Sequence, residues 1–184
     1  SDGTNAIVGW VENGNSWSDG TVALRRIGPT GVPLDTAPLV VGQGIGSTNR
    51  WFDLKYDGSD YVAFWTAGGT PAVPEVRLNS ARISTSGTLL DAVPRSVPLP
   101  LPSAPRNPRA AWDGSRFLLV WEETAQANPL ESDIAAAVVA SDGTVLVAPF
   151  AVSSAARNQA FPSVACGPAT CFVAWRDDRG GAPG

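Results

Sequence analysis

Ile7-Val8-Gly9-Trp10, Val62-Ala63-Phe64-Trp65, Leu118-Leu119-Val120-Trp121 and Phe172-Val173-Ala174-Trp175 are four versions of one phrase. Their tryptophans stand 55, 56 and 54 residues apart. Two further markers keep the same frame. Gly31, Gly87 and Gly143 follow Thr, Ser and Asp at intervals of 56, and Asp2-Gly3, Asp57-Gly58 and Asp113-Gly114 lie eight residues ahead of three of the tryptophans, counted from Asp. Three markers on one period make the chain a tandem array, and the repeat decides its fold.

The second copy shows what one repeat contains. Phe52 to Tyr56 predicts a short strand, and Asp57-Gly58-Ser59 a tight hairpin turn. Tyr61 to Trp65 is apolar without alternation, the pattern of a strand covered on both faces. After a loop rich in Gly and Pro, Val76 to Ile83 predicts a third strand. The turn at Thr85-Ser86-Gly87 then leads to a fourth at Leu89-Leu90. Other copies fit the frame: Val22, Leu78 and Ile134 coincide, as do Ile27, Ile83 and Val139, and Leu34, Leu90 and Leu146. No stretch holds a 3.6-residue period. The expectation is an all-β chain with four-stranded antiparallel units of about 55 residues, the pattern of a β-propeller blade. An immunoglobulin-like sandwich would need about seven strands per domain and no strict internal period.

In this frame residues 1–184 form one repeat domain, divided into a partial blade at 1–50, blades at 51–106 and 107–159, and a partial blade at 160–184. The opening blade lacks its first strand, and the closing one lacks its third and fourth. Unfilled edges and faces of that kind need cover. The expectation is therefore either a piece of a longer, exported precursor or completion by another chain. Strand exchange between copies would close into a ring or run on as a filament.

Composition sets the function classes. The chain is 43% hydrophobic, with 16% charged residues and a net charge of −4; twelve of its thirteen basic residues are Arg, Lys55 being the exception. The sparse charge argues against a nucleic-acid surface, which needs a clustered basic face. No apolar run approaches the length of a membrane-spanning helix. Cys166 and Cys171 flank the turn that carries Asp-Gly in other copies, so they face each other across a hairpin. Facing non-hydrogen-bonded positions have Cα atoms about 4.5 Å apart, inside the disulfide range. A bridge there points to an oxidising compartment. The rival is a redox or metal pair, but two thiols in a chain without His make a poor metal site.

Pro162-Ser163-Val164-Ala165-Cys166, Cys171-Phe172-Val173-Ala174-Trp175-Arg176-Asp177-Asp178-Arg179 and the stretch from Ser132-Asp133-Ile134 to Asp142-Gly143-Thr144 resemble a known repeat. They are similar to repeats in large secreted or surface proteins of myxobacteria and related bacteria. Those read P-x-V-A-x-D-G-x-x-Y-L-V-V-W-x-D-x-R, then D-I-x-x-x-R-V, then D-G. The resemblance covers nearly the whole chain and implies a propeller-like module outside the cytoplasm, at the cell surface, in the medium or in the periplasm. It implies no particular activity. Thr66-Ala67-Gly68 departs from the acidic stretch of the pattern.

Candidate binding residues lie outside the repeat consensus. Connections at the Asp-Gly and Gly31-type turns are short and alike, whereas those at 11–20, 43–50, 66–75, 98–107, 122–132 and 152–160 are long and unlike, which is where recognition concentrates. Trp17 with Asn15 and Asp19, and Trp51 beside Arg50, have the ring-plus-amide chemistry of a sugar site. They also suit packing between blades. Trp10, Trp65, Trp121 and Trp175 recur and belong to the core. Two residues past each of these stand Glu12, Ala67, Glu123 and Asp177. The acids, with Arg179 nearby, are expected to form ion pairs between blades, with Ca²⁺ ligation as the alternative. Without His the usual acid–base arrangements are gone. A two-carboxylate glycosidase would have to draw on Glu12, Glu122, Glu123, Asp133, Asp177 and Asp178. These recur at equivalent places rather than converging.

The sequence reading is thus a non-enzymatic scaffold without cofactor or metal. Its partners are other protein chains, copies of itself included. A carbohydrate-binding propeller, with surface glycans as ligands, is the second reading and a glycoside hydrolase the third.

Overall fold

The computed structural model describes residues 1–12, 20–45, 51–68, 76–100, 104–124 and 131–180. Thirteen strands and one short 3-10 turn, Asp178–Gly180, make up its regular structure. The first unit holds β1 (Ala6–Glu12), β2 (Gly20–Ile27) and β3 (Leu39–Ile45). The second holds β4 (Phe52–Tyr56), β5 (Asp60–Gly68), β6 (Val76–Ser84) and β7 (Arg95–Val97). The third holds β8 (Pro105–Trp112), β9 (Phe117–Thr124), β10 (Ser132–Val139) and β11 (Val145–Ser153), and the fourth holds β12 (Gln159–Cys166) and β13 (Cys171–Asp177). Grouped by the repeat frame, the described strands number three, four, four and two.

Within each unit neighbouring strands pair antiparallel, as in Phe52↔Trp65 and Tyr61↔Ile83. One departure from expectation lies between units. A single parallel bridge, Ile45↔Gly68, joins the first two units into one seven-stranded sheet. The described residues close into neither a barrel nor a ring; the units form an open stack.

A second departure is the fourth strand of the second unit. It does not start at Leu89-Leu90, which make only an isolated bridge to Ile83, but at Arg95. Asp91 is the reason. Its carboxylate turns back to accept from the Arg82 backbone N–H at 2.8 Å, and Pro94, which follows shortly, has no N–H for a ladder. In the third unit Val147 stands at the place of Asp91 and stays in the ladder opposite Val138.

The core lies between units, not within them. One cluster gathers Val22, Leu24 and Val41 of the first unit against Tyr61, Ala63, Trp65, Ala81 and Ile83 of the second. The other gathers Val62, Phe64, Leu78 and Val97 of the second against Ala110, Phe117, Leu119, Trp121, Ala137 and Val139 of the third. Alternate residues of β5 thus serve opposite neighbours, which is why its sequence lacks a polar face. Trp65 and Trp121 are 1% and 0% exposed, and burial of this kind is worth about 3 kcal/mol for each large side chain.

Candidate functional site

The units meet along seams, and each repeat marker has a task there. At the Asp-Gly turns, the Asp57 carboxylate accepts from the backbone N–H groups of Ser59 and Asp60, both at 2.8 Å, and Asp113 does the same for Ser115 and Arg116. Asp2 accepts from Thr4 and Asn5 at 2.8 and 2.6 Å. Gly3, Gly58 and Gly114 take φ near +90 to +103°, a backbone state in which a side chain is strained. The donated bonds from Asn5 and Thr4 bring the Asp2 carboxyl down to about 2. Burial pushes Asp113 up, but the N–H groups of Ser115 and Arg116 outweigh it and hold that carboxyl at about 2 as well.

At the third-to-fourth strand turns, glycine seats one unit on the previous one. A Cβ on Gly87 would lie 2.6 Å from Arg26 Nε, and one on Gly143 2.6 Å from Ser80 Oγ and 3.0 Å from Arg95 Cβ. Gly31 has the same positive φ, +81°, and nothing within reach. That turn is a seat with no partner among the described residues.

Arg26 and Arg82, 56 apart, grip Asp35 and Asp91, also 56 apart. In both, the guanidinium binds the carboxylate (Arg26 Nη2–Asp35 Oδ1 2.6 Å, Arg82 Nη2–Asp91 Oδ1 2.9 Å). Arg26 also donates to the Thr85 carbonyl of the next unit at 3.0 Å. The Arg26 hydrogen bonds hold Asp35 below its ordinary range. Asp91 is raised by burial but lowered further by Arg82. In the third unit both members become valine, Val138 and Val147, which face each other. The pair has been exchanged as a pair. Repeat alignment carried this signal, and reading apolar positions alone passed it over.

The acids two residues past the tryptophans cap indoles or pair locally. Glu12 Oε1 accepts the Trp10 indole N–H at 3.0 Å, and Glu123 Oε2 that of Trp121 at 2.9 Å. Ala67 offers no acceptor, and the buried Trp65 Nε1 has no hydrogen-bond partner among the described residues. Asp177 pairs with Arg179 of its own segment (Nη2–Oδ2 2.7 Å). The expected inter-unit ion pairs are corrected to indole caps and a local pair, because side chains at i and i+2 of a strand share a face.

Of the other carboxylates considered for chemistry, Glu122 and Asp178 also have structural partners. Glu122 Oε1 accepts from the Phe161 backbone N–H of the fourth unit at 2.6 Å and from Asn107 Nδ2 at 3.1 Å. Asp178 pairs with Arg176 (Nε–Oδ1 3.2 Å). Burial, with Glu131 and Glu123 nearby, raises Asp133. Among the described residues no group of three or more His, Cys, Asp or Glu side chains is placed to hold a metal ion.

Trp51 stands 37% exposed ahead of β4, its carbonyl accepting the Thr66 N–H at 3.2 Å. Asn15, Trp17, Asp19 and Arg50 lie outside the described residues. Cys166 and Cys171 are a facing pair joined as a disulfide, with Cα atoms 4.0 Å apart, which fits an oxidising environment. Among the described residues no helix is long and apolar enough to cross a membrane.

The two ends of the stack are unlike the seams. On the first unit Val8 and Val40 are 50% and 41% exposed; on the last Phe161 and Phe172 are 54% and 75% exposed, with the Arg176 guanidinium 4.8 Å above the Phe161 ring. In the repeat frame Val8 corresponds to Ala63, which faces the previous unit, and Phe172 to Val62, which faces the next. Each end presents the half of a seam that has no mate here.

No family model matches the chain, and no curated protein matches it. Among solved structures, a mutant of Synechocystis apocarotenoid oxygenase is similar in fold, with a TM-score of 0.49 and 10% identity. The match covers 87% of this chain and 37% of that one, so this chain spans well under half of its length.

Proposed function

We propose that this chain is a propeller-type blade module of a secreted or surface-exposed protein and serves as a non-enzymatic scaffold that joins further blades at its open ends. The observation that carries the reading is the contrast between seams and ends. Two internal seams use one set of repeat positions, and the exposed Val8 and Phe172 hold the places of the seam residues Ala63 and Val62 with no mate among the described residues. Apolar positions bared on both ends of a stack mark interaction surfaces. The two faces differ, so contact between copies would be head-to-tail. The disulfide and the resemblance to bacterial surface repeats support the extracytoplasmic placement. The engagement of Glu12, Glu122, Glu123, Asp177 and Asp178 in structural bonds supports a scaffold over a two-carboxylate hydrolase.

The native mass from light scattering after size exclusion tests this. Particles of several chains that fall to one 19.1 kDa chain in the variants Val8→Lys or Phe172→Lys are the expected result. A single chain at every concentration would contradict self-association.

A further inference from the structure

In the second, third and fourth units the hairpin between first and second strands carries one facing pair at the same place, beside its turn. The pairs are Tyr56↔Tyr61, Trp112↔Phe117 and Cys166↔Cys171. From unit to unit their members stand 56 and then 54 residues apart, the intervals of the tryptophans. The first two pairs are ring against ring, with centroids 5.4 and 4.7 Å apart. In the fourth unit the rings give way to a disulfide.

The turn next to that pair has changed as well. All three turns close alike on the backbone: Asp57 N–H donates to the Asp60 carbonyl at 3.1 Å, Asp113 to Arg116 at 3.0 Å and Gly167 to Thr170 at 2.9 Å. The first two add a carboxylate that accepts two N–H groups, and a glycine at φ +99° or +103°. The fourth unit has Gly167 and Pro168 in those places. Gly167 brings no carboxylate to cap the turn, and proline holds φ negative. This hairpin has neither the aromatic pair nor the Asp cap, and a covalent bond stands in their stead.

We infer that Cys166–Cys171 is a redox-operated clamp on this hairpin. Oxidised, it holds β12 to β13 as the rings hold β4 to β5 and β8 to β9. Reduced, it leaves two thiols that supply neither a ring contact nor a cross-link. The reductant is a dithiol. One of its thiolates attacks a cysteine sulfur, and its second thiol then displaces the mixed disulfide. The S–S bond breaks, two electrons and two protons pass to the cysteines, and the reductant leaves as its own cyclic disulfide. Neither of the two apolar clusters draws on β12 or β13, so release of the clamp leaves both intact. The inference goes beyond the scaffold reading and does not depend on whether further units adjoin the chain.

The test is amide hydrogen exchange of the native chain before and after treatment with dithiothreitol at one protein concentration, with thiol titration to confirm reduction. Exchange should quicken about fivefold or more in β12 and β13 and change less than about twofold in β4, β5, β8 and β9. The double variant Cys166→Ser, Cys171→Ser should match the reduced chain. A second double variant, Cys166→Trp with Cys171→Phe, copies Trp112 and Phe117; it should recover protection of β12 and β13 and ignore the reductant. The inference is overturned if the disulfide survives dithiothreitol in the folded chain or if its reduction leaves β12 and β13 unchanged. Equal quickening in all three hairpins, or an aromatic variant that exchanges as fast as the reduced chain, would overturn it too.

Discussion

The second and third units are closed and the first and last are open, although all four are written in one repeat. Trp121 is wholly buried with its indole capped by Glu123. Trp10 has the same cap from Glu12 but lies on a face where Val8 is 50% exposed. Local chemistry is therefore the same inside and at the end, and only the neighbour differs. The lesson is that this repeat forms its turns and caps by itself but acquires its core from the next copy, as in other arrays whose units cannot bury a face alone.

The largest test of that contrast is truncation of the two tryptophans. Trp121→Ala should cost about 3–5 kcal/mol in denaturant unfolding. Trp10→Ala in the isolated chain should cost less than half as much, and equal costs would erase the distinction. Next in size are the turn glycines. Gly31→Ala should cost about 1–2 kcal/mol from its left-handed backbone alone. Gly143→Ala should exceed it by about 1–3 kcal/mol from overpacking onto Ser80 and Arg95.

Asp91→Val alone should cost about 1–3 kcal/mol by leaving Arg82 half-buried without its acceptor. Adding Arg82→Val, which copies Val138 and Val147, should restore most of that loss, a coupling that a double-mutant cycle reads directly. Ala67→Glu should stabilise by about 1 kcal/mol by giving the Trp65 indole N–H the acceptor its counterparts have. Thermal melts of the variant and parent side by side check this.

The smallest effect is in pH, and it should be alike inside and at the end. Asp2 and Asp113 both titrate near 2 when folded, below the ordinary 3.8. Their contribution is fully present above about pH 4 and is lost as pH falls toward 2. Asp2→Asn and Asp113→Asn should each flatten that acid limb; a change from only one would separate the turns.

Strand order, hairpin turns, the doubly covered β5 and the disulfide were legible because each follows from local spacing or from the period itself. The fourth strand of the second unit was misplaced because Asp91 leaves the ladder for Arg82, and a side chain that competes with the backbone does not show in apolar patterning. The Trp-capping acids were visible as a column but misassigned. Spacing of two on a strand means a shared face, and the partner lay within the same strand. The sugar-binding candidates at Asn15, Trp17, Asp19 and Arg50 fall outside the described residues, and Trp51 alone can be located.

Amide hydrogen exchange, measured on the chain diluted to a single copy and again where it associates, tests the central claim most directly. The account predicts slow exchange in β5 and β9 under both conditions, and in β1 and β13 only in the associated state. Protection of β1 and β13 that is the same in both states would contradict it.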